Sequence, residues 1–486
     1  MDHTRYGNIR WKIYGGTNLS PVETKALHEL YGVIRHYLPY TVTVCMGPED
    51  VTADDNIIYV GTLQSNDQIA KLAAEGAFEP ETRTEGYSIK VAPAADRPER
   101  TNIIIQGADP VGTLYGVFEF EHAYLDTKLK YNGYHYNRKH QILVDPCVDF
   151  EVKSAPDIKN RGLWTWGHVI YDYKGYIDNM ARCRMNMLIM WNDFVPLNAR
   201  EIIDYAHASG VKVIWGYSCA WNDGSNSTAP AEPGFAELWG NKVLETYERE
   251  YKDLDIDGVY FQAFTETNHM EINGIPIARL VTDFINHVVG VLHAKYPDLY
   301  VQFGLHASSI KQNYVLMDNF TNGATPVWED CGAFPYDYDS RRGDIPSTQK
   351  YTEQLVAQAQ ATGNNFGVVL KGFSVLNWKE FEHHRGRLIV GVTDKVAMKK
   401  RLEDKQFYWK FAEPYWIAHA DALQDFCKTV ADANLDDSTV TALVEDGVFE
   451  GEIPPSVALY SELMWDSKAN IKELLEKVYH SEHFGH

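Results

Sequence analysis

Residues 257–271 read DGVYFQAFTETNHME, and within this stretch a strand-forming run gives way to a polar segment. The Asp257-Gly258 turn pair precedes apolar residues rich in aromatic side chains, which favours a β-strand. Polar residues follow from Thr265 onward. In a barrel of alternating strands and helices, the carboxyl ends of the strands carry the active site. Glu266 is therefore the leading catalytic candidate, although a single glutamate after a strand is also typical of a solvated loop or a helix cap.

The chain around this stretch alternates between short apolar runs and amphipathic segments from residue 160 onward. Such alternation predicts parallel strands joined by helices, and its length favours an α/β fold of the (β/α)8 TIM-barrel class. The continuous apolar run at 187–191 is typical of a strand buried on both faces. The eight predicted strands are Arg161–Trp166, Met187–Trp191, Val211–Tyr217, Asp257–Phe264, Tyr300–His306, Thr325–Glu329, Phe366–Phe373 and Leu388–Val392.

The sequence patterns divide the chain into three predicted domains. Residues 1–150 mix helical and strand periodicities, which predicts a small α/β accessory domain. Residues 151–395 form the predicted catalytic barrel, and residues 396–486 form a predicted helical C-terminal region. Two prolines, Pro146 and Pro156, mark the linker between the first domain and the barrel.

Composition restricts the partners and cofactors of the chain. Its 486 residues are 45% hydrophobic and 23% charged, which is typical of a globular protein. The net charge of −22 disfavours nucleic acid and anionic membranes, because both attract basic surfaces. The first residues lack a signal-peptide core, so a cytoplasmic location is expected, with export left open. Neither the six scattered cysteines nor the adjacent His383-His384 pair has metal-ligand spacing, so no metal or cofactor is expected.

Carboxylates, amides and indoles follow most of the predicted strands. Because the carboxyl ends of parallel strands meet at one rim, these side chains are expected to form a single pocket. Indole rings stack on the apolar faces of sugars, and amides and carboxylates hydrogen-bond to sugar hydroxyls. Any one tryptophan taken alone is also typical of a core residue. The predicted substrate-binding residues are Trp164, Trp166, Trp191, Asn192, Asp193, Trp221, Asn268, His306, Trp328, Lys371 and Trp378.

A pocket of this kind with two carboxyl groups predicts hydrolysis of a glycosidic bond. One carboxyl group protonates the leaving oxygen, and the other attacks the sugar or activates water. Glu266 is predicted to be the acid and Glu329 its partner. Asp330, Asp193 and Glu380 are alternatives to Glu329, because chain spacing does not give the separation of two carboxyl groups.

Motifs in two parts of the chain resemble a known group of enzymes. Residues 85–89 (EGYSI), 103–107 (IIIQG) and 112–116 (GTLYG) lie in the N-terminal domain, and Arg161-Gly162 opens the first barrel strand. In these motifs the chain resembles glycoside hydrolases that place a small α/β domain before a (β/α)8 barrel, such as alpha-glucuronidases and beta-hexosaminidases. The resemblance covers roughly residues 50–390. It implies a glycosidase acting on an oligosaccharide substrate that contains uronic acid or neutral sugars.

The resemblance also implies roles for particular residues. Both groups place the acid, a glutamate, at the end of barrel strand four, which corresponds to Glu266. The hexosaminidases have an aspartate just before it that orients an acetamido group of the substrate, whereas this chain has Thr265. The difference argues against acetamido-assisted chemistry. The alpha-glucuronidases use a second carboxyl system to activate water, for which Glu329 is the chosen counterpart.

Two other functions are compatible with the same residues. A non-catalytic carbohydrate-binding protein on a decayed barrel would need the tryptophans but not the carboxylates. A metal-dependent barrel hydrolase or lyase would lose its activity in chelator. No pattern in the chain indicates the sugar, the linkage or the oligomeric state.

Overall fold

A computed structural model describes most of the chain as two compact units. The first unit holds the described residues up to Pro156, together with residues 208–210 and 472–484. The second unit runs from Asp157 to Ile471 apart from residues 208–210. The described residues are 10–38, 41–128, 149–192, 194–223, 227–320, 323–329, 346–373, 386–444, 447–481 and 483–484.

The first unit is built on a six-stranded sheet. Its elements up to residue 156 are β1 (Trp11–Tyr14), α1 (Pro21–Tyr37), β2 (Thr43–Cys45), β3 (Asn56–Thr62), α2 (Asp67–Ala74), β4 (Tyr87–Ala94), β5 (Arg97–Gly107), α3 (Pro110–Glu119) and β6 (Phe150–Ser154). The strand order is β2-β1-β3-β5-β4-β6, parallel from β2 to β5 and antiparallel on both sides of β4. The α/β sheet predicted for the N-terminal part is confirmed.

Local sequence determines where α1 begins. The Ser20 hydroxyl accepts a hydrogen bond from the Glu23 N–H, and the Glu23 carboxylate accepts one from the Ser20 N–H. Pro21 fills the first helical position, where no N–H is needed. This reciprocal cap satisfies two backbone donors that the helix itself leaves without partners.

The second unit is a closed barrel of eight parallel strands. The barrel strands are β7 (Asn160–Trp166), β8 (Met187–Trp191), β9 (Lys212–Gly216), β10 (Gly258–Gln262), β13 (Val301–His306), β14 (Ala324–Glu329), β15 (Phe366–Leu370) and β16 (Ser438–Ala442), and a hairpin of β11 (Glu271–Ile272) and β12 (Ile275–Pro276) follows β10. The (β/α)8 TIM-barrel prediction is confirmed.

Helices surround and extend the barrel. They are α4 (Tyr173–Arg182), α5 (Ala199–Ala208), α6 (Phe235–Thr246), α7 (Ile277–His293), α8 (Ala307–Ile310), α9 (Pro346–Thr362), α10 (Lys395–Ala418), α11 (Ala420–Asp432), α12 (Val448–Gly451) and α13 (Pro455–Trp465). The last helix, α14 (Ile471–His480), belongs to the first unit from residue 472 onward. Across the described ranges, none of the helices is both long and apolar enough to cross a membrane.

The eighth strand differs from the prediction. Leu388–Val392 is not a barrel strand; it is an extended segment in which Leu388 O accepts from Leu197 N at 2.8 Å and Val390 exchanges two hydrogen bonds with Asn198. The eighth strand is β16, which pairs with β15 and β7. The prediction failed because α10 and α11 intervene between the seventh and eighth strands, far more chain than in the earlier repeats. The barrel therefore includes a strand beyond the predicted limit at residue 395. The other predicted domain limits stay predictions.

Side chains alternate between the inside and the outside of the barrel, as the period of two requires. The inner core contains large apolar side chains from seven of the strands or the residues just after them. These are Trp164, Met187, Ile189, Trp191, Ile214, Tyr260, Val327, Val369 and Leu443. The interior is thus filled by side chains, so ligands have access to it only at the strand ends.

The Arg161-Gly162 pair at the start of β7 has a clear structural role. The buried Arg161 guanidinium donates to the carbonyls of Ile158 and Lys159 at 2.7 and 3.1 Å, and twice to that of Arg184. A Cβ on Gly162 would lie 1.7 Å from a backbone oxygen of β8, so only glycine fits there. The pair therefore joins the first two barrel strands at their amino ends.

Arg161→Leu should lower the free energy of unfolding by about 2–5 kcal/mol, because it leaves buried carbonyl oxygens without donors. Urea denaturation followed by circular dichroism measures this loss. Arg200→Leu is the matched control, since Arg200 is exposed and, among the described residues, its guanidinium donates to the carbonyl oxygen of Asp253. Similar small losses in both variants would contradict the role of Arg161.

Candidate active site

A buried carboxylate, Glu329, lies at the carboxyl end of β14 and points into the barrel. It is 1% exposed. Its Oε1 accepts hydrogen bonds from the Tyr260 hydroxyl at 2.7 Å and from Gln262 Nε2 at 2.6 Å. Its Oε2 pairs with Lys371 Nζ at 2.5 Å. Side chains from β10 and from the residue that follows β15 thus hold one carboxylate on β14.

Strand alternation brings these groups together. Tyr260 and Gln262 are two residues apart on β10, so both face inward. Between β10 and β14 lies β13, whose inward position is Gly304. A Cβ on Gly304 would lie 1.9 Å from the Tyr260 hydroxyl oxygen and 2.5 Å from Glu329 Oε1. The absence of a side chain at Gly304 thus leaves room for the hydrogen bond between the Tyr260 hydroxyl and Glu329.

Opposing effects set the pKa of Glu329. Burial raises the pKa of a carboxyl group, because it disfavours the charged form. The Lys371 ammonium, with further contributions from His306 and Gln262, outweighs burial and lowers the pKa of Glu329 to about 2. Burial and Glu329 together raise the pKa of Tyr260 well above its ordinary value, so Tyr260 stays protonated and donates. Glu329 is therefore an ionised carboxylate at neutral pH.

Glu266, the leading sequence candidate, lies in the loop after β10 and is exposed. Its Oε2 accepts a hydrogen bond of 2.6 Å from the indole nitrogen of Trp221, which is 40% exposed. The loop itself is fixed on either side of Glu266. Thr265 Oγ1 accepts from His306 N at 3.0 Å, and Thr267 O accepts from Ser308 Oγ at 2.9 Å. Glu266 is thus a solvent-accessible carboxylate on an anchored loop.

Hydrogen bonding determines which His306 nitrogen carries the proton. The Ser308 hydroxyl has one proton, which it donates to Thr267 O. Ser308 Oγ must therefore accept in its 2.8 Å contact with His306 Nδ1, so Nδ1 is the protonated nitrogen. Burial lowers the pKa of His306, and Lys371 adds to the lowering while Glu329 and Glu266 oppose it. The neutral ring then offers Nε2 as a hydrogen-bond acceptor.

Other predicted residues lie in or beside the barrel interior. Trp164 is fully buried, with its ring centroid 4.5 Å from that of Trp166 and 5.2 Å from Lys371 Nζ. Trp191 is buried in the same core. Asn192 follows β8 and is buried, and its Oδ1 has no hydrogen-bond partner within the described ranges. Such an orphaned acceptor is typical of a place where a ligand or water donates a hydrogen bond.

Trp328 is placed differently from the expectation. It is buried on the outer side of β14, where it lines a small cavity with Leu305, Leu355 and Ala359. The reason is alternation: Glu329 faces inward, so its neighbour faces the surrounding helices. Its assignment to the substrate pocket is therefore wrong. Asn268 is exposed in the loop after β10.

Some predicted residues lie outside the described residues. These are Asp193 and Trp378 from the substrate-binding set, and Asp330 and Glu380 from the alternative catalytic partners. Sequence reasoning missed Tyr260, Gln262 and Gly304. The alternation of side chains along β10 could have indicated Tyr260 and Gln262, because it separates the inward from the outward positions of a strand. Within the described part of the chain, no group of three or more His, Cys, Asp or Glu side chains is arranged to hold a metal ion.

Known proteins share parts of this architecture. Residues 6–120 match the family described as Glycosyl hydrolase family 67 N-terminus. A GH138 enzyme targeting pectin rhamnogalacturonan II is 13% identical at a TM-score of 0.50, over 96% of this chain and 52% of that chain. A family 89 glycoside hydrolase from Clostridium perfringens, in complex with 2-acetamido-1,2-dideoxynojirmycin, is 9% identical at a TM-score of 0.47, over 95% and 50%. No curated protein matches the chain.

The family match and the GH138 likeness bear on architecture. The chain spans about half the length of each of the two solved structures. At 13% identity the GH138 likeness shows the fold, and the family match shows that residues 6–120 are similar to the N-terminal part of family 67 glycosyl hydrolases. The predicted resemblance to glycoside hydrolases with an N-terminal α/β domain and a TIM barrel is confirmed.

The stability lost when the Lys371 charge is removed should depend on pH. A carboxyl group with a lowered folded-state pKa stabilises the fold above its unfolded pKa, and that contribution is lost as the pH falls through the folded pKa. For Glu329 the window runs from about 4.5 down to about 2. Lys371→Met should therefore cost on the order of 3 kcal/mol of unfolding free energy at pH 7 and much less near pH 3. Urea denaturation at both pH values measures the difference.

Two further variants separate charge from packing in this experiment. Lys371→Arg keeps the cation and should retain most of the stability at pH 7. In a Glu329→Gln background, Lys371→Met should cost the same at both pH values, because the titrating carboxyl group is gone. Equal losses at pH 3 and pH 7 in the otherwise native chain would contradict the electrostatic role of Lys371.

Proposed function

We propose that the chain is a glycoside hydrolase in which Glu266 is the general acid and Glu329 is its anionic partner. The observation that carries the proposal is the ionised Glu329, held by Tyr260, Gln262 and Lys371 at the carboxyl end of the barrel. Cleavage of a glycosidic bond needs one carboxyl group that donates a proton and a second that is charged. Glu329 meets the second requirement and cannot meet the first.

Glu266 suits the acid role by its position and its hydrogen bond. Trp221 donates to Oε2, which leaves Oε1 to carry the proton that passes to the leaving oxygen. An acid must recover its proton in each turnover, and an exposed side chain exchanges protons with water directly. The anchors at Thr265 and Thr267 hold the loop on either side of the carboxyl group.

Glu329 suits the second role because it is charged and held in position. In that role it attacks the anomeric carbon or activates water. Its partners keep it in one orientation, so little reorganisation is needed as positive charge develops on the sugar. The resemblance of the chain to alpha-glucuronidases supports this division of roles between two carboxyl groups.

The proposed substrate is an oligosaccharide that contains uronic acid or neutral sugars. Thr265 supports this choice over an acetamido-assisted mechanism, because its hydroxyl is buried and already accepts a hydrogen bond from the His306 backbone. The proposed sugar-binding groups include Trp166 and the orphaned Oδ1 of Asn192. A sugar hydroxyl that meets His306 Nε2 would have to donate a hydrogen bond.

Glu266→Gln should lower kcat/KM by about 10²–10⁴ on a substrate with a poor leaving group. The loss should be much smaller on a dinitrophenyl glycoside, whose leaving group departs without protonation. Glu329→Gln should lower the rate on both substrates, because both need the charged carboxylate. The measurement is kcat/KM for each variant on a natural oligosaccharide and on the aryl glycoside, after a panel of aryl glycosides and glucuronides has identified the sugar.

Glu271→Gln is the matched control, since Glu271 is an exposed glutamate on β11, near Glu266 in sequence, with no proposed role. It should leave both rates unchanged. Equal losses on both substrates in Glu266→Gln would remove Glu266 from the acid role. Sugar binding that persists in both catalytic variants, without turnover by the wild type on any glycoside, would support a carbohydrate-binding protein instead.

A further inference from the structure

A cavity of about 350 Å³ lies beside the carboxyl ends of β8 and β9. Residues that follow these two strands form one wall, and α6 with the turn after it forms another. We call it the α6 cavity, and its defining residues are Phe194, Trp239, Lys242, Arg249, Glu250 and Arg387. None of them belongs to the proposed catalytic set. The volume falls within the range of small-molecule sites.

Positive charge exceeds negative charge in the α6 cavity, although the chain carries a net charge of −22. Arg249 Nε donates to Glu250 Oε1 at 2.9 Å, and Arg387 pairs with Glu250 Oε2. One carboxylate thus lies between two guanidinium groups. Lys242 and Glu245 also line the cavity and offset each other, so one cation remains in excess. Guanidinium groups bind carboxylates and other oxyanions through paired hydrogen bonds.

Aromatic side chains accompany these charges. The Lys242 ammonium lies 4.5 Å from the centroid of the Trp239 ring, and Phe194 is 44% exposed. Tyr217 also lines the cavity, and its ring stacks on that of Tyr251 at a centroid distance of 4.7 Å. Aromatic faces beside cations match a ligand that has apolar ring faces and a negative charge.

The backbone around the cavity is specialised. Residues 247–251, which follow α6, form a π-helical turn that presents Arg249 and Glu250 to the cavity. Such turns are rare and occur frequently at functional sites. Arg387 directly precedes the extended segment whose residues Leu388 and Val390 are hydrogen-bonded to the loop after β8. Arg249 and Arg387 therefore lie on or directly beside backbone that hydrogen bonds hold in place.

We propose that the α6 cavity is a second carbohydrate-binding site that takes an anionic sugar residue. Its charged group is bound by the guanidinium N–H groups of Arg249 and Arg387 that do not pair with Glu250, and its ring lies against Trp239. The choice of a sugar as the ligand rests on the proposed function, whereas the requirement for an anion rests on the cavity alone. The acidic group is a carboxylate or a sulfate, and the two are separated by experiment.

Isothermal titration calorimetry on the full chain carrying Glu329→Gln tests the proposal without turnover. The probes are methyl β-D-glucuronide, methyl β-D-glucoside 6-sulfate and the uncharged methyl β-D-glucoside. At least one anionic probe should bind about tenfold or more tightly than the uncharged one, and added salt should weaken it. The double substitution Arg249→Met and Arg387→Met should weaken that probe about tenfold or more.

Arg200→Met is the matched control, because this exposed arginine is in the same unit and does not line the cavity. It should leave binding unchanged. Arg249→Met alone replaces the double variant if the latter does not fold, since the Arg249 side chain is 64% exposed. Equal binding of charged and uncharged probes, or binding unaffected by the arginine substitutions, would overturn the proposal.

The test of the α6 cavity can fail or succeed independently of the test of the proposed function. Anion-dependent binding in the α6 cavity together with no glycosidase activity would refute the catalytic proposal and leave this one standing. Activity that depends on Glu266 and Glu329, with no effect of the arginine substitutions on binding of the anionic probes, would do the reverse.

Discussion

The ionised Glu329 inside the barrel is the constraint on which the rest of the site depends. A carboxylate removed from water costs several kcal/mol unless opposite charge and hydrogen bonds offset the loss. Here Lys371 supplies the charge, and Tyr260 and Gln262 supply the hydrogen bonds. Those partners come from β10 and from the residue after β15, so the site depends on the register of β10, β14 and β15 in the barrel. Gly304 shows how narrow the tolerance is, because even a methyl group there would overlap the Tyr260–Glu329 hydrogen bond.

Periodicity was enough to predict the barrel and seven of its strands. Those strands are short apolar runs separated by helices of ordinary length, so the local pattern and the global fold agree. The eighth strand was missed because two competing β-rich runs follow the seventh strand. Leu388–Val392 lies at the expected spacing, yet its hydrogen bonds go to loop residues 197–198 and to the loop before α4. Residues 438–442 lie beyond two helices, and they complete the barrel because their backbone fits between β15 and β7.

The candidate site was harder to predict than the fold, because a position at the end of a strand does not specify whether its side chain faces the barrel interior or the outer helices. Trp328 and Glu329 are adjacent at the end of one strand, and only one of them can face inward. A carboxylate with a nearby cation is stable there, whereas an indole packs equally well against the outer helices. Contacts between distant parts of the chain, such as Gln262 with Glu329, leave no trace in local pattern. Glu266 was chosen as a candidate because it lies in the polar segment directly after an apolar run, a signal that depends only on its immediate neighbours.

The two carboxyl groups differ in the ways that the proposed acid catalysis beside a charged partner requires. Glu329 is buried and held by three side chains from β10 and the residue after β15, so its charge and orientation are fixed before any ligand binds. Glu266 is exposed and held by one indole, on a loop fixed by backbone contacts at Thr265 and Thr267. If their environments were exchanged, the acid would be buried and could not recover a proton from water. The charged partner would be exposed, and solvent would screen its attraction for positive charge on the sugar. The closed barrel makes the difference possible, because its interior shields an inward side chain while its loops leave their own side chains in water.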